Sequence, residues 1–177
     1  MSILSRGSRT RRICIDALLC AVAMMLSYLE ALLPLNLAIP LPGFRLGLAN
    51  VIVVVTFSLL TPTDAAAISA TRILLMGLLF GSVTSLYFSA MGGLVSFCAL
   101  LLLRCFRIKC SFVGVSVLSA AAHNTGQIIA AVTLFGMSLI PSYLPLLLFA
   151  SVLYGGIVGV LLNLLIPRLQ APLARVL

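Results

Sequence analysis

Glu30, Arg45, Asn50, Arg72, His123, Asn124 and Gln127 are the side chains with chemical potential in a sequence that is otherwise mostly apolar. His123 and Gln127 stand four residues apart and share a helix face, and Asn124 adjoins Gln127 three residues away. Such a patch offers hydrogen bonds rather than a nucleophile. The arginines bring positive charge suited to a phosphate or carboxylate. The acids number three, Asp16, Glu30 and Asp64, and they are widely spaced. No carboxylate pair is available to hold Mg²⁺, and no Walker or HExxH pattern occurs. The single histidine has no second histidine or helically spaced thiol beside it. The expectation is therefore binding chemistry, with no catalytic residue, no metal and no resident cofactor.

The elements that position these residues follow from composition. The 177 residues are 63% hydrophobic and 8% charged, with a mean hydropathy of +1.30. Soluble domains carry about 25% charged residues, so a water-soluble globule is excluded, and so is a disordered chain. The net charge of +8 is better explained by membrane topology than by nucleic acid. The five cysteines, Cys14, Cys20, Cys98, Cys105 and Cys110, form no CxxC and no disulfide framework. The basic start is followed by apolar sequence without a small-residue cleavage pattern, so no signal peptide is read.

A spanning helix needs about 20 mostly apolar residues. Six are predicted: Ile13 to Leu33, Leu46 to Leu60, a third capped at Thr63-Asp64 and running to Phe80, Val83 to Leu103, Phe112 to Met137, and Tyr143 to Ile166, ended by Pro167. The fold class is all-α, a polytopic bundle in one membrane domain over 13–167. It is flanked by a basic segment over 1–12 and a tail over 168–177. Nine of the 11 cations fall in the N-terminal segment, the loop after the fourth span and the tail. Six spans put all nine on one side, so both termini are expected in the cytoplasm.

The outer segment 34–45 contains Pro34, Pro40, Pro42 and Gly43, which deny it a regular helix. It reads as a lid over the bundle or as a loop on the interface. Ionisable groups inside a membrane are costly and default to functional hypotheses. Placed by depth, Glu30, Arg45 and Asn50 belong to the outer ends of the first two spans. Arg72 and His123 fall midway along theirs. The polar set converges on an outward-facing cavity with a basic bias. His123, Asn124 and Gln127 either contact a ligand or join helices, since polar side chains do both in membranes. Glu30 is a partner for Arg45 or for Arg72. In the first case Arg72 is left for a ligand anion. Ala17-x-x-x-Ala21, Gly77-x-x-x-Gly81 and Gly155-x-x-x-Gly159 allow close helix approach. Ala17 and Ala21 face either an external partner or the bundle.

The runs Gly43-Phe-Arg-Leu-Gly-Leu-Ala-Asn50, Ala122-His-Asn-Thr-Gly-Gln127, Thr71-Arg-Ile-Leu-Leu-Met-Gly-Leu-Leu-Phe-Gly81 and Gly92-Gly93 resemble the bacterial Gx transporter family. That family is also labelled heptaprenyl diphosphate synthase component I, and the likeness covers roughly 12–168. It is similar in size and plan to the substrate-binding S components of energy-coupling factor (ECF) vitamin transporters. The resemblance implies a multi-pass protein of the bacterial cytoplasmic membrane. It would capture a vitamin-like, flavin-like or isoprenoid-related solute from outside, beneath the loop after helix one. Its partners would be the lipid bilayer, a coupling subunit and two cytoplasmic ATPases, with Ala17 and Ala21 facing the coupling subunit. The synthase label conflicts with the scattered acids. It leaves room for a noncatalytic accessory of polyprenyl diphosphate or quinone synthesis, and the occurrence of relatives beside flavin-based extracellular electron-transfer systems implies an accessory role there as the other alternative.

Overall fold

The computed structural model describes residues 9–32, 47–108, 110–136 and 140–176. These form six helices, α1 (Arg9–Leu32), α2 (Asn50–Leu59), α3 (Pro62–Phe80), α4 (Val83–Cys105), α5 (Phe112–Phe135) and α6 (Ile140–Val176), with no strand among the described residues. The segment 34–45, Arg45 included, lies outside the described residues.

Local chemistry sets the helix ends. Thr61 caps α3, accepting from the Asp64 N–H, while the Asp64 carboxylate accepts from the Thr61 N–H at 3.2 Å. This reciprocal box places the cap two residues before the expected Thr63, and Pro62 sits in the first turn, where its missing N–H costs nothing. Ser82 and Ser111 cap α4 and α5 in the same manner, accepting from the N–H groups of Ser85 and Gly114. Two expected boundaries are corrected. α2 starts at Asn50 rather than Leu46, because Gly47 takes φ +84°, a left-handed geometry that stops helix propagation. α6 does not end at Pro167 but continues to Val176. A proline removes one hydrogen bond, and a long helix in a membrane protein absorbs that loss locally.

Among the described residues, four helical stretches are long and apolar enough to cross a bilayer: Thr10–Leu32, Pro62–Phe80, Val83–Cys105 and Leu144–Ala171. Large apolar side chains such as Leu18, Leu78, Phe149 and Ile157 are exposed on the outside. This is the surface of a multi-pass membrane protein in contact with lipid. The remaining two helices are special. α2 has 10 residues, about 15 Å at 1.5 Å per residue, too short to span. α5 has 24 residues but carries the polar His123–Gln127 run, which is buried apart from Thr125.

α2 occupies the middle of the bundle. Its Val53, Val54 and Leu59 pack with Leu100 of α4 and with Leu162 and Ile166 of α6. A helix that is apolar all round belongs in an interior. α5 lies between α4 and α6 at backbone range. A Cβ added to Gly126 would stand 2.8 Å from the Gly92 Cα, and one added to Gly155 would stand 2.7 Å from the Val117 Cα. The Gly155-x-x-x-Gly159 spacing is therefore internal packing, with Gly159 against Val113. At one end of the bundle, Arg12 of α1 bridges to Asp64 (Nη2–Oδ1 2.5 Å) and donates to Thr61 Oγ1 at 3.0 Å. Arg104 of α4 stacks over Phe57 of α2 at the same end, 5.7 Å from the ring centroid.

Candidate functional site

The N-terminus of α2 is the pivot of the polar interior. Glu30, near the end of α1, is buried, and its carboxylate accepts from two successive backbone N–H groups, Gly47 to Oε1 at 2.7 Å and Leu48 to Oε2 at 2.9 Å. A helix N-terminus leaves such N–H groups without intrahelical partners and favours negative charge. One turn on, the Asn50 amide donates to Ser96 Oγ of α4 at 3.0 Å and to Ser119 Oγ of α5 at 2.8 Å. The two serine oxygens are themselves 2.8 Å apart. This closed triangle of buried groups ties three helices at one level.

His123 of α5 is buried, with its ring wedged between Gly47 and Gly92. A Cβ at Gly47 would stand 2.9 Å from Cδ2, and one at Gly92 would stand 2.6 Å from Cε1. Among the described residues neither ring nitrogen makes a well-formed hydrogen bond. The Tyr154 hydroxyl of α6 is likewise buried without a partner among them. Both side chains line one cavity of about 10 Å³, together with Gly47, Asn50, Ser116 and Ser119. That volume is about the room one water needs. Buried polar atoms are nearly always hydrogen-bonded, and this cavity has room for about one water beside groups on two helices that lack a partner among the described residues.

The sequence placed seven polar residues around one outward-facing cavity. The structure brings Asn50 and His123 to the cavity wall and puts Glu30 directly behind it, on Gly47. Arg72 of α3 is buried on the α1 side, its Nη1 donating to Ser27 Oγ at 3.1 Å. Asn124 does not line the cavity: its amide donates to Leu147 O at 3.0 Å and Ser151 Oγ at 2.7 Å, joining α5 to α6. Gln127 is buried in α5. Of the seven, Asn50 and His123 line this cavity among the described residues, and Arg45 lies outside them. Tyr154, Ser116 and Ser119 were missed from the sequence. The one available signal was a tyrosine in the middle of an apolar span, whose hydroxyl needs a partner when buried.

A second feature lies on the outside of the bundle. Asp16, Ala17, Cys20, Ala21 and Met24 of α1 face Ala67, Thr71 and Leu75 of α3 across a groove of about 450 Å³. Ala17 and Ala21 therefore lie in an open groove, and the buried Oδ1 of Asp16 has no partner among the described residues. No group of three His, Cys, Asp or Glu side chains converges as a metal site among the described residues.

A family model described as heptaprenyl diphosphate synthase component I matches residues 19–165. Neither the curated proteins nor the solved structures contain a match to the chain.

Proposed function

The chain belongs to the heptaprenyl diphosphate synthase component I family, and from that premise we propose that it is a noncatalytic, substrate-binding subunit of a membrane transport system. All six helices cross or enter the membrane, with both termini and the Arg12–Asp64 end in the cytoplasm. The ligand enters from the opposite side and is a small vitamin-like, flavin-like or isoprenoid-related solute. Asn50, His123 and Tyr154 contact it, and Glu30, Arg72 and Gln127 set the charge and shape around them. Arg45 belongs to the entrance. Uptake draws on ATPases carried by partner subunits, and the α1–α3 groove with Ala17 and Ala21 receives a coupling subunit.

The observation that carries this reading is the buried polar cavity. Polar atoms of His123 and Tyr154 that have no partner among the described residues are buried in a bundle whose outer surface is apolar. Polar groups left unsatisfied in such a place cost about 1–3 kcal/mol each, and a bound polar ligand removes that cost. Native mass spectrometry of the detergent-extracted protein, with flavins, vitamins and quinones supplied in turn, tests it. A small molecule held by the wild type and lost in His123→Ala or Tyr154→Phe supports the reading. A protein that stays empty through the whole panel counts against it.

The family description favours a second reading, in which the chain is a membrane accessory of a polyprenyl diphosphate synthase. The same extraction separates the two readings. A soluble prenyl-elongating subunit copurifying with an empty cavity points to the accessory role.

A further inference from the structure

We propose that the paired N–H groups of Gly47 and Leu48 form the anion-recognition element of the ligand site, and that the Glu30 carboxylate occupies it as an internal stand-in for the carboxylate or phosphate of a small solute. This deepens the ligand-binding reading and rests on it.

Three observations meet at this point. The first is geometric. Two successive backbone N–H groups converge on the two oxygens of one carboxylate, at 2.7 and 2.9 Å. Gly47 is in the left-handed region and Ala49 is right-handed helical, with φ −69°. Backbone runs of this kind make anion-binding concavities, here at the start of a buried helix whose dipole also favours an anion.

The second is the cavity. Gly47 belongs to its wall, and so does His123, which is 3% exposed and whose ring nitrogens lack well-formed partners among the described residues. Gly47 meets the Glu30 carboxylate at its N–H and the His123 ring on its Cα side, so an anion that takes the place of the carboxylate sits next to the cavity wall. Discontinuous membrane helices place their N-termini against anionic substrate groups in this way.

The third is connectivity. Glu30 is not part of the helix it caps. It comes from α1, so a shift of α1 relative to α2 removes the carboxylate and frees both N–H groups together. The two N–H groups then exchange one oxyanion for another and are themselves satisfied in both states. The closed cavity of about 10 Å³ is the state with the stand-in bound. An arriving anion opens it by taking the same two donors.

Chemical rescue tests this without knowledge of the natural ligand. Glu30→Ala is purified in lipid-depleted detergent and melted in chloride, formate, acetate or inorganic phosphate. The expected result is a saturable rise in melting temperature of roughly 3–8 °C with formate, acetate or phosphate. Neither chloride on Glu30→Ala nor formate on the wild type should give such a rise. Rescue by formate and acetate alone assigns a carboxylate, and rescue by phosphate assigns a phosphate. Rescue only by phosphatidylglycerol micelles overturns the solute assignment in favour of a lipid headgroup. If Glu30→Ala fails to fold in every salt, Glu30→Gln is melted instead: its amide competes less well than the carboxylate, so formate should still raise its melting temperature. An absence of any anion effect on the folded variant, or on Glu30→Gln where the alanine variant fails, overturns the proposal. Native mass spectrometry of the wild type reports separately on ligand capture, so a captured solute without anion rescue removes the anion element and leaves the transport reading intact.

Discussion

The imidazole of His123 on α5 lies so close to Gly92 on α4 that a Cβ at position 92 would stand 2.6 Å from its Cε1 and 2.8 Å from Nδ1. The same ring touches Gly47 ahead of α2. Two glycines on separate elements thus form the slot that fixes one buried histidine against the cavity. The close crossing of α4 and α5 and the polar site are one structural feature, because Gly126 packs the same two backbones together just beyond the ring.

Gly92→Ala should therefore be costly out of proportion to its size. The added methyl must displace a buried ring or push two helices apart, and overpacking of this kind costs about 1–3 kcal/mol. Gly156→Ala on α6 is the matched control, since nothing lies within 4 Å of a Cβ there. Thermal melts in detergent should separate the two variants. Equal melting temperatures for both would mean that the slot is not tight.

The Asn50–Ser96–Ser119 triangle should behave as a unit. Asn50→Ala leaves two buried serines with lost partners and should cost about 1–2 kcal/mol. Ser96→Ala alone should cost less, since Asn50 keeps Ser119. Added to Asn50→Ala, it should cost little more. The coupling energy from that double-mutant cycle should be about 0.5–1.5 kcal/mol, the range typical of polar contacts between membrane helices. Additive losses would show that the three groups act independently.

At the basic end of the bundle, Asp64 holds both a helix cap and the Arg12 side chain. Asp64 completes the α3 capping box and accepts from Arg12. Arg12 is 38% exposed, against 8% for Asp64, so solvent and salt screen its share of the bridge. Arg12→Ala should cost no more than about 1 kcal/mol and lose its effect in high salt. Asp64→Ala should cost about 1–2 kcal/mol, most of it surviving high salt, because a cap hydrogen bond is less screened than an ion pair. Denaturation at low and high ionic strength distinguishes the two behaviours.

How much of this could be read from the sequence varies with the kind of signal. The helices were legible because long apolar runs are separated by strong breakers at Thr61-Pro62, Gly81-Ser82 and Gly136, although α2 is shorter than a membrane span. Where a boundary was misread, one residue decided it. Gly47 turns left-handed and delays α2, while Pro167 stays inside α6. His123 and Asn50 stood out because polar groups are rare and costly in membrane helices. Ser96, Ser119 and Tyr154 did not, because small residues are common in such helices and an all-round apolar helix gives no face to orient them. Asn124 shows the same limit from the other side. Its type leaves ligand contact and helix joining both open, and only the structure reveals that its amide reaches Ser151 and the Leu147 carbonyl.

Asn124 and Tyr154 consequently make a discriminating pair. Asn124→Ala removes two interhelical hydrogen bonds and should destabilise the fold by about 1–2 kcal/mol. Ligand retention by the folded fraction, read by native mass spectrometry, should be nearly unchanged. Tyr154→Phe removes a buried hydroxyl that has no partner among the described residues, so the empty protein should be as stable as the wild type, or more so by up to about 1 kcal/mol. Its deficit should appear only with ligand present, as a retention lowered roughly 5- to 30-fold for one lost hydrogen bond of about 1–2 kcal/mol. The reverse pattern, with Asn124→Ala losing ligand and Tyr154→Phe losing stability, would move the binding site from the His123–Tyr154 cavity to the Asn124–Ser151 contact.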